Sequence, residues 1–242
     1  MGLAYLGGVL EKNGYEVIIL DAVVEDYKKK NWNGHELLGL DYNKISEFVI
    51  KEKPSIVGIS VPFSAHYPSA LKVAKAVKEN TKDVITVLGG PHVSVVPEKC
   101  MSQYVDFLVI GEGEITFLYI ADYLKNSKQK DIFKEIQGIA FRLNGKTIKT
   151  EPRPFIDNLD ELPFPARHLL PMEKYFKFQK NLNYGRLAPE RTVSVITSRG
   201  CPFGCVFCSI ALTLGKKFRH RSPQNVVDEI ESLIRDYDIK SI

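Results

Sequence analysis

Apolar positions recur along this chain in two alternating rhythms. Leu3, Leu6 and Leu10 fall on one helical face in a segment that begins almost at residue 1, and Asn13-Gly14 supplies residues that tolerate a left-handed C-terminal turn. Tyr15–Leu20 follows as a short β-branched apolar run closed by Asp21, which predicts a buried parallel strand. The unit then repeats. Ile45, Phe48 and Val49 mark a helix ahead of a strand at Ser55–Ser60. Ala70, Leu71, Ala74 and Val77 mark another ahead of a strand at Val84–Leu88, and a strand at Phe107–Ile110 leads into a helix from Ile115 to Leu124. Strands alternating with helices at this spacing predict an α/β fold with a doubly wound parallel sheet, whose ligands lie beyond the carboxyl ends of the strands.

From Gly138 the rhythm changes. Ile139–Leu143 and Lys146–Lys149 flank Asn144-Gly145, a hairpin signal expected to end the first domain. Five of the 13 prolines (Pro152, Pro154, Pro163, Pro165, Pro171) then fall within 152–171, which predicts an extended linker. Beyond it, Thr192–Thr197 is a β-branched strand and residues 198–222 form a loop. A helix follows, capped by Ser222 with Pro223 at its first position and Val226, Ile230, Leu233 and Ile234 on its buried face. The expected organisation is a Rossmann-like (flavodoxin-like) domain over 1–137, hairpin and linker over 138–191, and the start of a second domain over 192–242. The second domain holds one strand-helix unit and the beginning of another strand at Ile239–Ile242, few units for a barrel. The chain opens on a helix where such a sheet opens on a strand, so a piece of a longer protein, lacking its first strand, is expected.

Composition narrows the partners more than it names them. With 33 Lys+Arg against 29 Asp+Glu the net charge is +4, spread along the chain, so no nucleic-acid stripe is expected. No run of about 18 apolar residues and no basic leader ahead of an apolar core are visible, so neither a transmembrane segment nor secretion is indicated and a cytoplasmic setting is expected.

Three of the four cysteines, Cys201, Cys205 and Cys208, crowd into eight residues, with Cys100 far off and read as a packed small hydrophobe. Three close thiolates repel one another unless a metal centre neutralises them. Gly200 and Gly204 permit tight turns and close approach to a bulky inorganic group. A Cys3His zinc site using His220 is the competing reading, although zinc knuckles usually carry paired CxxC spacing. The run Lys216–Arg221 reads as a solvated connection, or as charge complementary to an anionic cofactor or substrate.

The segment Cys201-Pro-Phe-Gly-Cys205-Val-Phe-Cys208, with an aromatic just before the last cysteine, resembles the motif of the radical S-adenosylmethionine (radical SAM) superfamily. That resemblance implies that Cys201, Cys205 and Cys208 hold a 4Fe-4S cluster whose fourth iron chelates S-adenosylmethionine. It implies reductive cleavage to methionine and a 5'-deoxyadenosyl radical that abstracts hydrogen from carbon. Phe207 would frame the adenine, or serve as a core aromatic. The cofactor carries the hard chemistry and the protein positions it.

The strand ends deliver Ser60-Val61-Pro-Phe-Ser64, Gly89-Gly90-Pro91-His92 and Gly111-Glu112-Gly113-Glu114 to one sheet edge. Each tract is weak alone, and the last is no GxGxxG. With the proline-rich Leu-Pro-Phe-Pro-Ala-Arg167 and the cysteine motif, the chain resembles cobalamin-dependent radical SAM enzymes over essentially its whole length. The resemblance implies cobalamin contacts at Ser60, Val61, Ser64, Gly89, Gly90, Pro91, His92, Gly111, Glu112 and Gly113. The Asp-x-His-x-x-Gly tract of many cobalamin proteins is absent, so His92 reads as a loop histidine rather than a cobalt ligand. Glu112 and Glu114 read equally as helix-start carboxylates. The implied function is methyl transfer or related chemistry on an unactivated carbon of a small-molecule, lipid-like or tetrapyrrole-like substrate, with a reducing electron donor, the chain alone being inactive. The alternatives are a corrinoid-binding module without turnover and a cobalamin-independent radical SAM oxidoreductase or cyclase. A methylthio-transferring enzyme needs a second cysteine set, which Cys100 alone does not provide.

Overall fold

The computed structural model describes residues 1–27, 29–32, 35–81, 83–126, 130–181 and 191–242. They fall into two compact units. The first is Met1–Leu40, Asp157–Arg199 and Phe218–Ile242, and the second is Asp41–Ile156 with Gly200–Lys217. The expected linker's last residues, 182–190, lie outside the described residues.

The second unit is a five-stranded sheet. Strands β3 (Ile56–Ser60), β4 (Ile85–Gly89) and β5 (Phe107–Val109) are parallel, with Ser60 opposite Gly89 and Leu88 opposite Leu108. Helix α3 (Tyr42–Glu52) precedes β3, α4 (Tyr67–Asn80) links β3 to β4, short α5 (Pro91–Val95) leaves β4, and α6 (Gly113–Asn126) follows β5. Alternation along buried strands builds two cores. Leu88, Leu108 and Ala140 pack with Ala70, Ala74 and Val93 on one face, and Val87, Phe107 and Phe141 pack with Ile120 and Phe133 on the other.

The hairpin, β6 (Ile139–Leu143) and β7 (Lys146–Lys149), does form around Asn144 (φ 50°) and Gly145 (φ 75°), as the dipeptide demands. It is no appendage of the linker, because β6 pairs antiparallel with β5 and extends the sheet. Buried Ile139, Ala140 and Phe141 give it a share in both cores.

In the first unit, α1 (Gly2–Lys12) forms where the pattern places it, but its buried residues are Ala4, Tyr5, Gly7, Gly8, Val9 and Leu10. Leu3 and Leu6 are only half-buried. The small residues admit the proline-rich segment: Ala166 N–H donates to the Ala4 carbonyl at 2.8 Å, and a Cβ on Gly8 would stand 2.7 Å from the Phe164 carbonyl oxygen. That segment is packed rather than loose, with Leu159, Leu162, Ala166 and Arg167 buried. The strand expected at Tyr15–Leu20 is corrected. Its residues join no ladder among the described residues, and Ile18 is 52% exposed. Apolar side chains alone do not make a strand, which also needs a neighbour's backbone groups.

Short α2 (Ala22–Glu25), the ladder of β1 (Lys29–Trp32) with β2 (His35–Leu38), and α7 (Met172–Asn181) are additional to the sequence expectation. Met172 and Phe176, one turn apart on α7, pack with Val193, Leu233 and Ile239. The strand at Thr192–Thr197 reduces to a parallel bridge from Thr192 to Ser241, followed by the two-residue ladder of β8 (Ser198–Arg199) and β9 (Arg219–His220). Arginines take up carbonyls along this run. Arg167 donates to the Ser194 carbonyl at 2.8 Å and Arg221 to the Ile196 carbonyl at 3.1 Å.

Both guanidinium groups meet Glu229 of α9 (Pro223–Tyr237), Arg167 Nη2 at 2.7 Å from Oε1 and Arg221 Nη1 on Oε2. Glu229 is 1% exposed. It occupies the stripe expected to be wholly apolar, while Ile234 is 53% exposed. The solvated reading of Lys216–Arg221 holds for Lys216, Lys217, Phe218 and His220, which are exposed, and is corrected at Arg219 and Arg221, which are buried.

Helix α9 starts as expected, Ser222 Oγ accepting from Asn225 N–H at 3.2 Å, and Asp160 accepts the Ser222 N–H at 2.9 Å. No helix among the described residues is long and apolar enough to cross a membrane.

Removing Glu229 leaves two buried guanidinium groups without their shared anion. Glu229→Ala is expected to cost about 3–5 kcal/mol in urea unfolding, much of it recovered when Arg167 and Arg221 are also replaced by methionine. Hydrogen bonds from the Ser222 side chain, then its N–H, hold the Asp160 carboxyl below the usual carboxylate range. A depressed pKa contributes stability above the unfolded value, and that contribution is lost as pH falls through the folded one. Asp160→Asn is therefore expected to flatten the acid side of a Tm-against-pH curve below about pH 4, without changing its slope between pH 6 and 8.

Candidate functional site

The carboxyl ends of β3, β4 and β5 carry the residues expected at a cofactor edge, and backbone bonds bind their loops into one surface. Gly90 adopts φ 107°, a conformation that L side chains rarely take, and a Cβ there would meet the Val61 carbonyl oxygen at 3.0 Å. That approach lets Val61 N–H donate to the Gly89 carbonyl at 2.8 Å and His92 N–H donate to the Val61 carbonyl at 3.2 Å. Val61 is completely buried and serves this junction. Ser94, not among the expected contacts, joins the third loop: its hydroxyl donates to the Gly90 carbonyl at 3.0 Å and accepts Gly111 N–H at 2.9 Å. The available signal was a hydroxyl one helical turn beyond a glycine.

Ser60, Ser64 and Pro91 are exposed at this edge, with Gly89, Gly90, His92, Gly111 and Gly113 half-buried. His92 Nδ1 lies 2.9 Å from Ser64 Oγ, and its ring stands 5.1 Å from that of Tyr67. Its partners are thus a hydroxyl and a ring, as suits a loop histidine. Glu112 is buried, and Oε2 accepts Ile156 N–H at 2.7 Å. Room for a flat ligand remains over the third loop, because a Cβ built on Gly111 meets nothing within 4 Å.

The cysteine loop belongs to the same compact unit as these strand ends. Its short helix α8 (Ile210–Thr213) packs against α5, which carries His92. Gly200 has φ 84°, and a Cβ there would stand only 2.1 Å from the Lys217 carbonyl oxygen, so the loop's two ends close at a glycine. Gly204, by contrast, has open space around it and needs no left-handed turn. Cys201 N–H donates to the Gly215 carbonyl and Cys208 N–H to the Cys205 carbonyl, each at 3.1 Å.

All four cysteines are free thiols. Cys201 is half-buried, and Cys205 and Cys208 are exposed. Among the described residues no three thiol, imidazole or carboxylate groups are gathered about a point fit for a metal ion, a Cys3His set included. The donor chemistry nonetheless suits an iron-sulfur cluster: three thiols on one short loop, with glycine at its closure. Phe207 is 90% exposed, which corrects the core-aromatic reading, and Phe203 and Val206 beside it are exposed as well. Cys100 is completely buried with Sγ on the Val96 carbonyl, and burial pushes its thiol pKa up, as befits a packing residue. A cleft of ≈ 380 Å³ in the first unit is lined by Gly8, Phe164, Arg167 and Tyr237 among others, and by none of these candidates.

Comparison with known proteins follows the same two features. Residues 1–121 match the family model described as the B12 binding domain. Over its full length the chain is 38% identical to 47% of an uncharacterized methyltransferase, PH0819, of Pyrococcus horikoshii. Over 99% of its length it is 33% identical to 49% of cytidylyl-2-hydroxyethylphosphonate methyltransferase of Streptomyces wedmorensis. Over 98% it is 31% identical to 39% of the anaerobic magnesium-protoporphyrin IX monomethyl ester cyclase of Rubrivivax gelatinosus. The chain therefore spans about half the length, or less, of these curated relatives. Among solved structures, the radical S-adenosylmethionine methyltransferase TsrM of Kitasatospora setae superposes with a TM-score of 0.71 at 18% identity, over 99% of this chain and 43% of that one, a likeness of fold. The parallel sheet with its glycine-bearing strand ends is thus a B12-binding fold, and the chain belongs to the B12-binding domain family.

Proposed function

We propose that this chain is the cofactor-holding part of a cytoplasmic enzyme that transfers a methyl group to an unactivated carbon of a small, lipid-like or tetrapyrrole-like molecule, drawing on an external electron donor. The observation that carries the reading is the membership of the three-thiol loop in the same compact unit as the glycine-bearing strand ends. When bound, the 4Fe-4S cluster supplies the electron that cleaves S-adenosylmethionine to a 5'-deoxyadenosyl radical, and cobalamin supplies a cobalt centre able to carry methyl. Cys201, Cys205 and Cys208 would hold three irons, and Phe207 would offer its exposed ring to the adenine. Ser60, Ser64, Gly89, Gly90, Pro91, His92, Gly111 and Gly113 would seat the corrin against backbone. Val61 and Ser94 would keep those loops in register from beneath.

A methyl acceptor is supported by the names of the Pyrococcus and Streptomyces relatives. Ring formation without methyl transfer is the second reading, favoured by the 31% identity to the Rubrivivax cyclase.

Anaerobic reconstitution with iron and sulfide is expected to load about four of each per chain, and a Cys201→Ala/Cys205→Ala/Cys208→Ala variant to load none. One zinc per chain without sulfide would sink the cluster assignment. Gly200→Ala forces a methyl group against the Lys217 carbonyl and is expected to cost at least about 1–3 kcal/mol in thermal unfolding of the metal-free chain, and to lower iron content with it.

A further inference from the structure

Glu112 sits at the cofactor edge, yet its carboxylate is turned to the chain itself. It is 8% exposed and accepts the Ile156 N–H at 2.7 Å. Ile156 ends a strap, residues 151–156, that leaves the hairpin and crosses the start of α6. The Glu151 carbonyl accepts Gly138 N–H at 2.8 Å, and Arg153 Nε donates to Thr116 Oγ1 at 2.8 Å, with its guanidinium 4.7 Å from the centre of the Tyr119 ring. Burial lowers the Arg153 pKa from its ordinary value.

Beside Ile156, the Phe155 ring lies against Gly215 of the cysteine loop. A Cβ on Gly215 would stand 2.7 Å from that ring, and Gly215 has φ 81°. The Gly215 carbonyl in turn accepts the Cys201 N–H. A continuous chain of contacts therefore runs from the third strand-end loop through Ile156, Phe155 and Gly215 to the first cysteine.

We propose that Glu112 is a positioning residue for Cys201, acting through this strap, and not a contact to the corrin. The inference rests on the assignment of Cys201 as a cluster ligand, and it gives the conformation of the cysteine loop a mechanical link to the loop where the corrin is seated. The carboxylate removes the orphan status of one backbone N–H, and that bond fixes the residue whose neighbour presses on the loop. The distal aromatic needs glycine beneath it, which accounts for Gly215 as a requirement of space as well as of backbone conformation.

The test is amide hydrogen exchange by mass spectrometry on the metal-free full chain, together with the EPR spectrum of the reduced, reconstituted protein and an absorbance titration with hydroxocobalamin. Glu112→Ala and Phe155→Ala are each expected to speed exchange in residues 200–217 by about tenfold and to alter the EPR line shape. Glu112→Gln, whose amide oxygen still accepts from Ile156, is expected to stay within about twofold of the parent. All three should bind hydroxocobalamin as the parent does. Unchanged loop exchange in Glu112→Ala overturns the proposal, and so does weakened cobalamin binding with the loop still protected, which would return Glu112 to the corrin. Should Glu112→Ala lose protection throughout the sheet, Phe155→Ala decides, because Phe155 is 38% exposed and its removal leaves the sheet cores intact. Unchanged loop exchange there also overturns the proposal. A parent chain that takes up no iron refutes the cluster assignment, while exchange in the metal-free chain still decides whether the strap holds the loop.

Discussion

One carboxylate, that of Glu229, organises the first unit. It is buried between Arg167 and Arg221, and each arginine spends further donors on backbone carbonyls of the run before β8. The arrangement ties the proline-rich segment, that run, β9 and α9 to one point, and it satisfies acceptors that a neighbouring strand would otherwise satisfy. Buried charge is justified energetically only when it is fully partnered, so none of the four pieces moves without exposing the others to an uncompensated ion.

The second unit solves a different problem, that of holding three loops, two of them glycine-bearing, level at the ends of parallel strands. Backbone groups of Gly89, Val61 and His92 bond across the first two loops, and the Ser94 hydroxyl reaches the third. The edge thus owes its form to main-chain geometry, and few side chains are committed to it. A surface of that kind leaves the exposed positions, Ser60, Ser64 and Pro91 among them, available to a ligand.

Much of this was legible in the residues themselves. The parallel strands, their helices, the Asn144-Gly145 hairpin and the cysteine loop each announce themselves through local signals: period, turn chemistry and spacing. What escaped was whatever depends on a distant partner. Tyr15–Leu20 has the composition of a strand but no ladder among the described residues, and Pro152–Pro171 has the composition of a linker yet packs through Leu159, Leu162 and Ala166. Glu229 stands on the helical face with Val226 and Leu233, and only the guanidinium groups contributed from residues 167 and 221 explain an acid there. At the candidate site, residue types were readable and their employment was not. Glu112 looked outward in sequence and bonds inward in structure.

The ladder of β8 and β9 brings Arg199 opposite Arg219, and so holds together the two ends of the excursion that carries the cysteines. Closing a flexible loop costs entropy that grows only as the logarithm of its length, and here that cost is met when the protein folds. On the proposed assignment of the three thiols to a cluster, metal uptake would order a chain whose ends already meet. Their affinity for iron would then be governed by local rearrangement, with little of the binding free energy diverted to recruiting distant segments.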